Sequence, residues 1–489
     1  MNYQKALLQD GSTVEYELVD DPPSGSMKKT YFSPDRSYVV QFYHDAAVGA
    51  DPQRRERLEA ILTRYNPTLS EAQGGAKGNS PTQADYYKNL FCWPTGIVVK
   101  PQLGIVAPFY PSNFFFKQGS LKNHEKEGSW FSRTKARRLL PAQELGSWDK
   151  YLEFCILMAR SVRRLHQAGL AHSDLSTKNI LVDPIGGQCV VLDIDSLVVP
   201  EVFPPDVLGT PGYIAPEVLA TSTLALRDPK RKHPGATTDQ HALAVLIYEY
   251  LLLRHPLKGP KTYAAQTAEE QERLEMGEKA LFIENPTDQS NRSRELKVPY
   301  RKLGSYLSDL IYRAFVKGLH SPNDRPAAIE WERALIKTWD LLLPCSNPTC
   351  AQQWFVYDPS GLRCPFCGTR LRPAWPTFPL LKLFREGPPE VWRPDGEVVL
   401  WHNHSLFKWH VFTGIFPGPD SRDKTPQAYC LFHQGEWWLV NQNLFSLISP
   451  EGDRIGQGEA LLLTNGLKFR LSQEPESRTV EVELIQISG

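Results

Sequence analysis

One short run of the sequence combines residue types suited to proton transfer and to cation binding. It begins at His172, places a carboxylate two residues later at Asp174, and places an amide five residues after that at Asn179. An apolar stretch follows at once, and a second apolar stretch ends on Asp193, fourteen residues past the amide. Phosphoryl transfer from ATP uses a carboxylate for the hydroxyl proton, and an amide oxygen and a second carboxylate for magnesium. The spacing therefore favours phosphoryl transfer.

The composition limits what else the chain does. At 489 residues it is too long for one core, so two to four domains are expected. Lys+Arg and Asp+Glu both total 55, and this zero formal charge does not favour a nucleic-acid partner. No apolar run approaches the ~20 residues of a membrane helix, and the first ten residues do not resemble a secretory signal. We expect a cytoplasmic protein that binds neither nucleic acid nor membranes.

Apolar periodicity predicts the elements that hold this run in place. Residues 151–166 have the spacing of a buried helix stripe, and Gly169 follows as a helix stop. A second helix is predicted at 52–65, and the Gly-, Ser-, Pro- and Gln-rich residues 66–84 predict a loop. Strands are predicted at 14–19, 30–32, 37–43, 97–99 and 103–109, the first two as a hairpin.

The runs at 172–179 and 190–193 resemble the catalytic loop and the metal-binding loop of the eukaryotic-type protein kinase superfamily. Three later runs resemble, in order, the end of the activation segment, the start of a large buried helix and a late arginine motif. They are 209–217, 238–245 and 323–326. The resemblance covers residues 10–340 and implies an α+β, bilobal protein-kinase-like fold that uses ATP and Mg²⁺. It also implies that Asp239 holds the catalytic-loop backbone and that Arg325 pairs with Glu217.

The resemblance assigns roles to the polar residues of the first run. Asp174 handles the proton of the substrate hydroxyl, and Asn179 and Asp193 hold magnesium. Lys178, four residues after Asp174, is the basic residue of the loop, an arrangement nearer to tyrosine kinases. Ser173 replaces the arginine that senses phosphorylation of the activation segment. Serine or threonine is the favoured acceptor, and tyrosine stays open.

The predicted N-terminal lobe departs from the family. Gln41 stands where the strand lysine is usual, and Gly25 is alone where three glycines are usual. The loop lysine Lys28 resembles that of the with-no-lysine kinases, which implies that it reaches the phosphates in place of the missing lysine. Its partner would be Glu59, or less closely matched Glu56. The alternative is a pseudokinase that binds nucleotide and assembles signalling partners without catalysis.

Two more segments belong to the predicted nucleotide site. The strand at 103–109 leads into a hinge, so Pro108, Phe109 and Tyr110 are expected to contact adenine. Asp195 replaces the glycine that usually follows two residues after the metal-binding aspartate, and so places a second carboxylate near the metal. Residues 117–148 are charged and irregular and are interpreted as an insertion beside the cleft.

Four of the eight cysteines lie within residues 345–367. Cys345 and Cys350 form one pair, Cys364 and Cys367 form another, and 13 residues separate the pairs. Two thiolate pairs on tight turns fit a tetrahedral structural Zn²⁺ site. A zinc ribbon is therefore predicted.

Short strands with intervening turns predict a small all-β sandwich after residue 395. They are 398–401, 409–412, 428–432, 437–440, 461–463, 468–471 and 480–487. The runs 437–441 and 458–469 are similar to a degenerate forkhead-associated domain, but the phosphothreonine-binding arginine and Ser-x-x-His of that family have no counterpart here. A protein-docking module is therefore favoured.

The predicted domain organisation joins these parts. It comprises an N-lobe (1–110), a hinge and insertion (111–148), a C-lobe (149–341), a zinc ribbon (342–372), a Pro-rich linker (373–394) and the β-sandwich (395–489). A kinase followed by a cysteine ribbon resembles bacterial kinases of tellurite-resistance-type triads. That resemblance implies a protein substrate, a cognate phosphatase and a von Willebrand A-like partner.

Overall fold

A computed structural model describes most of the chain, which forms two compact units. The described residues are 2–25, 27–44, 52–199, 202, 208–225, 227–294, 296–387, 391–418 and 424–487. The first unit comprises Met1–Gly146, Lys150–Leu296 and Leu310–Glu332, and the second comprises Ser147–Asp149, Lys297–Asp309 and Arg333–Gly489. Among the helices within these described ranges, none is both long and apolar enough to cross a bilayer.

Six antiparallel strands form a sheet at the start of the first unit. They are β1 (Tyr3–Leu8), β2 (Thr13–Glu17), β3 (Lys28–Phe32), β4 (Tyr38–Tyr43), β5 (Gly96–Lys100) and β6 (Gly104–Pro108). Their order is β2-β1-β5-β6-β4-β3. The sheet is curved, because the rings of Tyr16 in β2 and Tyr31 in β3, at opposite ends of this order, lie 5.4 Å apart. Apolar side chains such as Val40 and Val98 fill the inside of the curve.

The predicted hairpin between 14–19 and 30–32 is wrong. β2 pairs with β1, and β3 pairs with β4. β1 is missing from the sequence prediction because its first three residues are all exposed, so the alternation that marks a half-buried strand is weak. Gly25 lies in a tight turn before β3, where its N–H donates to the carbonyl of Lys28 over 2.9 Å.

Helix α1 (Pro52–Leu62) lies where a helix is predicted. Helix α2 (Pro81–Lys88) begins inside the stretch predicted as a loop, so the end of that prediction is wrong. Ser80 and Gln83 form a capping box, with each side chain accepting from the other residue's backbone N–H over 3.1–3.3 Å. Pro81 occupies the first helical position. A capping box with proline at that position favours a helix start, and here it outweighs the loop-like composition before it.

Between residues 134 and 339 the described chain is mostly helical. The elements are α3 (Thr134–Arg137), α4 (Trp148–Gln167), the hairpin β7 (Ile180–Asp183) and β8 (Gln188–Val191), α5 (Pro216–Ala220), α6 (Ala236–Leu252), α7 (Pro260–Tyr263), α8 (Ala268–Glu275), α9 (Ser305–Tyr312) and α10 (Ala328–Trp339). Consecutive residues of α6 are buried on every side of the helix, as the mostly apolar sequence of its C-terminal half predicts.

Residues 111–148, predicted as hinge and insertion, consist of short helical turns that pack on the β7–β8 hairpin. The carbonyl of Lys126 accepts from the N–H of Val182 in β7 over 3.0 Å. A Cβ on Gly128 would lie 2.9 Å from the carbonyl oxygen of Thr177, closer than real Cβ contacts come. The segment therefore supports the run at 172–179 through close backbone contact that glycine permits.

The described residues of the second unit form three sheets. The strands are β9 (Leu342–Pro344), β10 (Trp354–Val356), β11 (Thr377–Glu386), β12 (Trp392–Val399), β13 (Ser405–Leu406), β14 (Ala428–His433), β15 (Glu436–Asn441), β16 (Ala460–Leu462), β17 (Lys468–Arg470) and β18 (Thr479–Gln486). β9 pairs with β10, and two four-stranded antiparallel sheets have the orders β12-β11-β18-β17 and β13-β14-β15-β16.

Two predictions for this unit are wrong. The predicted linker at 373–394 contains β11, an inner strand that pairs with both β12 and β18. The apolar side chains around Pro379 are buried there, and their burial outweighs the proline content that suggested a linker. The predicted strand at 409–412 is instead a short helix, α11 (Lys408–Val411).

Candidate active site

One buried carboxylate fixes the backbone of the run that begins at His172. Asp239, 1% exposed near the start of α6, accepts from the N–H groups of His172 and Ser173 over 2.7 and 3.1 Å. Ser173 has φ of 63°, in the left-handed region that a side chain adopts only when its surroundings hold it there. The His172 ring bonds to the carbonyl of Leu192 over 2.8 Å. The predicted contact of Asp239 with this backbone is confirmed.

The carboxylate of Asp174 is oriented from both sides. The Asn179 amide donates to the Asp174 backbone carbonyl over 2.8 Å and to Oδ2 over 3.0 Å. The Thr210 hydroxyl donates to Oδ1 over 2.6 Å. Because the amide nitrogen of Asn179 donates to Asp174, the amide oxygen of Asn179 is the atom that remains to bind a cation.

Asp193 lies beside Asn179. The N–H of Leu192 donates to the Asn179 carbonyl over 2.9 Å, which joins the residue before Asp193 to the run at 172–179. Asp193 has φ of 58°, and the Ser196 hydroxyl donates to its carbonyl over 3.0 Å. Its side chain is 34% exposed. The predicted magnesium ligands thus lie on two segments that are bonded to each other, and a partly exposed carboxylate with an amide oxygen is a suitable donor set for a hard cation.

Lys28 points from β3 to this position. Its Nζ lies 3.1 Å from Oδ1 of Asp193 and also bonds Oδ1 of Asp195. Burial disfavours the ammonium, but the charges of Asp195 and Asp193 raise the pKa of Lys28 well above its usual value. Burial likewise opposes ionisation of Asp195, yet the Lys28 charge and hydrogen bonds from Lys28 and Tyr43 lower the pKa of that carboxyl. The pair is therefore ionised at neutral pH.

The expected pairing of Glu59 with Lys28 is absent. Glu59 is 45% exposed and accepts from the side chain of Gln9 over 2.7 Å. Among the described residues, the carboxylates that contact Lys28 are those of Asp193 and Asp195. The reason is the phase of α1, whose buried face carries Arg54, Arg57, Leu58 and Ile61 and no glutamate.

The predicted hinge borders an apolar surface. The N–H of Phe109 donates to the carbonyl of Ser37 over 3.1 Å, and Pro108 has no N–H. The first backbone N–H of the hinge that remains for adenine is therefore that of Tyr110. Burial raises the pKa of Tyr110 well above its usual value. Tyr110, Cys92 and Leu192 are partly buried and pack against buried Phe114, Leu181 and Val190. This surface adjoins Asp193 and has the apolar character that an adenine ring needs.

The segment after Asp193 is anchored at its far end. Arg325, 1% exposed, forms a bidentate pair with Glu217 over 2.7 and 2.8 Å. It also donates to the carbonyls of Gly318, Leu319 and Thr237. The predicted pairing of Arg325 with Glu217 is confirmed.

Three predicted site residues add no side chain to the described contacts of this cluster: Glu59, as above, Lys178 and Gly25. Two cluster residues are missing from the prediction. Lys178 is exposed, and Gly25 lies in the turn before β3. Thr210 and Tyr43 contact Asp174 and Asp195 respectively. Thr210 lies inside the run 209–217, which resembles the end of the activation segment, so the sequence contains a pattern that points to it. Tyr43, which ends β4, lies in no such run.

The four cysteines of the predicted ribbon meet in space. The Sγ atoms of Cys345 and Cys367 are 3.5 Å apart, and those of Cys350 and Cys364 are 3.9 Å apart. All four lie within 4.8 Å of one another. Tetrahedral zinc–thiolate bonds of about 2.3 Å place sulfur atoms about 3.8 Å apart, so these residues fit one metal ion.

Comparisons with known proteins find similarity to protein kinases. Residues 124–327 match the family model described as protein kinase domain. Serine/threonine-protein kinase WNG2 of Toxoplasma gondii is 38% identical over 97 residues, which is 19% of this chain and 17% of that protein. CBL-interacting serine/threonine-protein kinase 7 of Arabidopsis thaliana is 30% identical over 129 residues, 26% of each chain. The chain thus spans about a quarter or less of the length of these relatives.

A solved structure, the kinase domain of a Toxoplasma gondii specific rhoptry antigen, is also similar. It has 14% sequence identity and a TM-score of 0.39, covering 69% of this chain and 86% of its own. From the family match, residues 124–327 are a protein kinase domain.

Proposed function

We propose that the protein transfers the γ-phosphate of Mg–ATP to a hydroxyl group of a protein substrate, with serine or threonine preferred over tyrosine. The observation that carries the proposal is the position of Lys28, whose ammonium supplies the positive charge that Gln41 cannot. Gln41 itself donates to the Thr30 hydroxyl over 3.1 Å within the sheet. The names of the similar kinases support the choice of serine or threonine.

Each group of the cluster has a distinct part in this proposal. Asp174, oriented by Asn179 and Thr210, accepts or orients the proton of the attacking hydroxyl. Asn179 and Asp193 hold magnesium, which when bound neutralises charge on the phosphates. Lys28 binds the phosphates as a fixed cation, and Tyr110 with the apolar surface beside it receives the adenine.

Transfer of labelled γ-phosphate from Mg–ATP, to the protein itself and to a generic protein substrate, tests the proposal. Asp174→Asn keeps the shape of the side chain but removes the proton acceptor, so we expect a loss of about 10²- to 10⁴-fold in rate with nucleotide binding retained. Asp228→Asn, at a partly exposed carboxylate outside the cluster, is the matched control. Equal transfer by wild type and Asp174→Asn would contradict the proposal, and bound nucleotide without transfer by wild type would favour the pseudokinase.

We further propose that the four cysteines hold one structural zinc ion, since a set of four thiolates leaves no open position for catalysis. Their mutual distances support this assignment. Docking of a phosphatase or a von Willebrand A-like protein by the second unit stays a prediction, motivated by the order of the domains.

A further inference from the structure

The two carboxylates beside Lys28 differ in what they can still bind. The side chain of Asp193 is 34% exposed, whereas that of Asp195 is 3% exposed. Asp195 uses Oδ1 for Lys28 and Oδ2 for the Tyr43 hydroxyl, which donates over 2.5 Å. A cation can therefore reach Asp193 without breaking the bonds of Asp195. Asp195 is a poor candidate for the second metal ligand that its sequence position suggests.

Lys28 needs a carboxylate partner that stays in place when Asp193 binds a cation. Its own side chain is 11% exposed, and a buried ammonium without a counter-charge is strongly disfavoured. Helix α1 supplies no such partner, since Glu59 accepts from Gln9 and lies 3.6 Å from Arg55. Within the described part of the chain, Asp195 is the remaining carboxylate in contact with Lys28.

Tyr43 connects this arrangement to α1. Its ring is 3% exposed and lies 4.9 Å from the guanidinium of Arg54, on the buried face of α1. Lys28 and Tyr43 also occupy paired positions of β3 and β4. The tyrosine is thus held by sheet and helix together, with its hydroxyl on Asp195.

We propose that Asp195, oriented by Tyr43, is the positioning residue that holds Lys28 toward the nucleotide phosphates. The inference rests on the proposed role of Lys28 in phosphate binding. In this arrangement the lysine is anchored from the segment that follows Asp193 rather than from a glutamate of α1. Helix α1 acts on it through Tyr43, which contacts Arg54 and packs in one cluster with Leu58.

Binding of Mg–ATP and of adenosine, measured by calorimetry, separates positioning from folding. Adenosine carries no phosphate, so a change in Lys28 alone leaves its affinity unaltered. We expect Lys28→Ala and Asp195→Asn each to weaken Mg–ATP binding by about 10- to 100-fold, the range for loss of a hydrogen bond to a charged group, and to leave adenosine binding unchanged. The double variant is expected to bind no more weakly than Lys28→Ala, because the two changes remove the same interaction, that of Lys28 with Asp195.

Several results would overturn the inference. A further loss of affinity when Asp195→Asn is added to Lys28→Ala, or a higher magnesium requirement in Asp195→Asn, would make Asp195 a metal ligand. Equal weakening of adenosine and Mg–ATP would make its role structural. Unchanged Mg–ATP affinity in Lys28→Ala would show that Lys28 does not bind the phosphates, and this inference would then be wrong. The Asp174→Asn transfer assay tests phosphoryl transfer independently of that result.

A second variant covers the case in which Asp195→Asn does not fold. Tyr43→Phe keeps the ring against Arg54 and removes only the hydroxyl on Asp195, so we expect severalfold weaker Mg–ATP binding with adenosine unaffected. Lys29→Ala, next to Lys28 but exposed, is the matched lysine control and is expected to bind like wild type. Wild-type Mg–ATP affinity in Tyr43→Phe would contradict the part assigned to Tyr43.

Discussion

The hydroxyl of Thr210 donates to Oδ1 of Asp174 over 2.6 Å, while the Asn179 amide donates to Oδ2. The carboxylate proposed to handle the substrate proton is thus held in part by the segment that follows Asp193. The kinase resemblance implies that Ser173 takes the place of a phosphorylation-sensing arginine. The Thr210 hydroxyl is a direct link between that segment and Asp174. The conformation of the segment and the geometry of Asp174 are expected to change together.

Thr210→Val tests this link, because valine keeps the shape of threonine and removes the donor. We expect phosphoryl transfer to slow by about tenfold or more, as for loss of a hydrogen bond to a charged group, with Mg–ATP affinity unchanged. Thr210→Ser restores the hydroxyl and is expected to recover most of the rate. Steady-state kinetics with a generic substrate measure both effects.

Thr221→Val is the matched control for this substitution. Its hydroxyl donates to the backbone carbonyl of Glu217 over 3.0 Å and does not contact Asp174. It is expected to leave the rate close to that of wild type. If Thr210→Val and Thr221→Val transfer phosphate equally well, Thr210 has no part in orienting Asp174.

Arg325 is expected to be the largest single ionic contribution to stability near the site. Replacing it with methionine removes the ion-pair partner of Glu217 and the hydrogen bonds that Arg325 donates to three backbone carbonyls. Breaking a buried ion pair by removing one partner costs about 3–5 kcal/mol. Urea denaturation of Arg325→Met should therefore show a much lower midpoint than wild type.

Arg273→Met provides the comparison, because Arg273 pairs with Glu278 at the surface, with both side chains nearly half exposed. Solvent screens such a pair, so little change in stability is expected. Similar midpoints for the two variants would show that the Arg325 pair contributes no more than a surface contact.

Local runs made much of the site predictable from sequence. Asp174 and Asn179 lie in one run before β7, Asp193 lies just after β8, and these two strands form a hairpin. The four cysteines also lie within one short segment, so chain connectivity brings each set near to its final place. The contacts of Asp239 and Arg325 followed from the order of recognised runs. These features depend little on how distant elements pack.

The errors concern contacts that depend on packing between distant elements. The resemblance implies Glu59 as the partner of Lys28, but the phase of α1 places Arg54 on its buried face instead. Asp195 and Tyr43 are separated by 152 residues, and no local pattern marks their contact. Similarly, proline content suggested a linker at 373–394, whereas strand pairing with β18, nearly 100 residues further on, decides the structure there.

Metal analysis tests the cysteine cluster. The purified protein is expected to carry about one zinc ion per chain, the stoichiometry of a single Cys₄ site. Cys364, which is buried, is the clearest position to change: Cys364→Ser removes a thiolate and should abolish stoichiometric zinc. Chelation of wild type should lower its thermal stability, because binding energy at a structural site is folding energy.

Cys430→Ala is the control for the metal analysis, since Cys430 is a buried cysteine of β14 outside the cluster. It is expected to retain zinc at the wild-type level. Full zinc content in Cys364→Ser, or none in wild type purified without chelators, would contradict a zinc site at these residues.

His255 is expected to make the first unit sensitive to acid. It is 5% exposed, its Nδ1 accepts from the Leu257 N–H over 3.1 Å, and its Nε2 bonds to the Gly212 carbonyl over 2.9 Å. This arrangement requires the neutral ring. Burial, with a smaller effect of the Lys258 charge, lowers the pKa of His255 to about 3.

The sign of the pH dependence follows from the two states. An unfolded histidine has a pKa of about 6.5, so between that pH and about 3 the unfolded chain binds a proton that the folded chain does not. The free energy of unfolding therefore falls as pH falls through this window, by up to about 1.4 kcal/mol per pH unit for one such group.

His255→Gln keeps a donor for Gly212 and does not titrate, so its stability should fall less steeply. Urea denaturation at several pH values between about 7 and 5, with the exposed His233→Gln as control, measures the two slopes. Equal slopes for wild type and His255→Gln would mean that folding does not lower the pKa of His255.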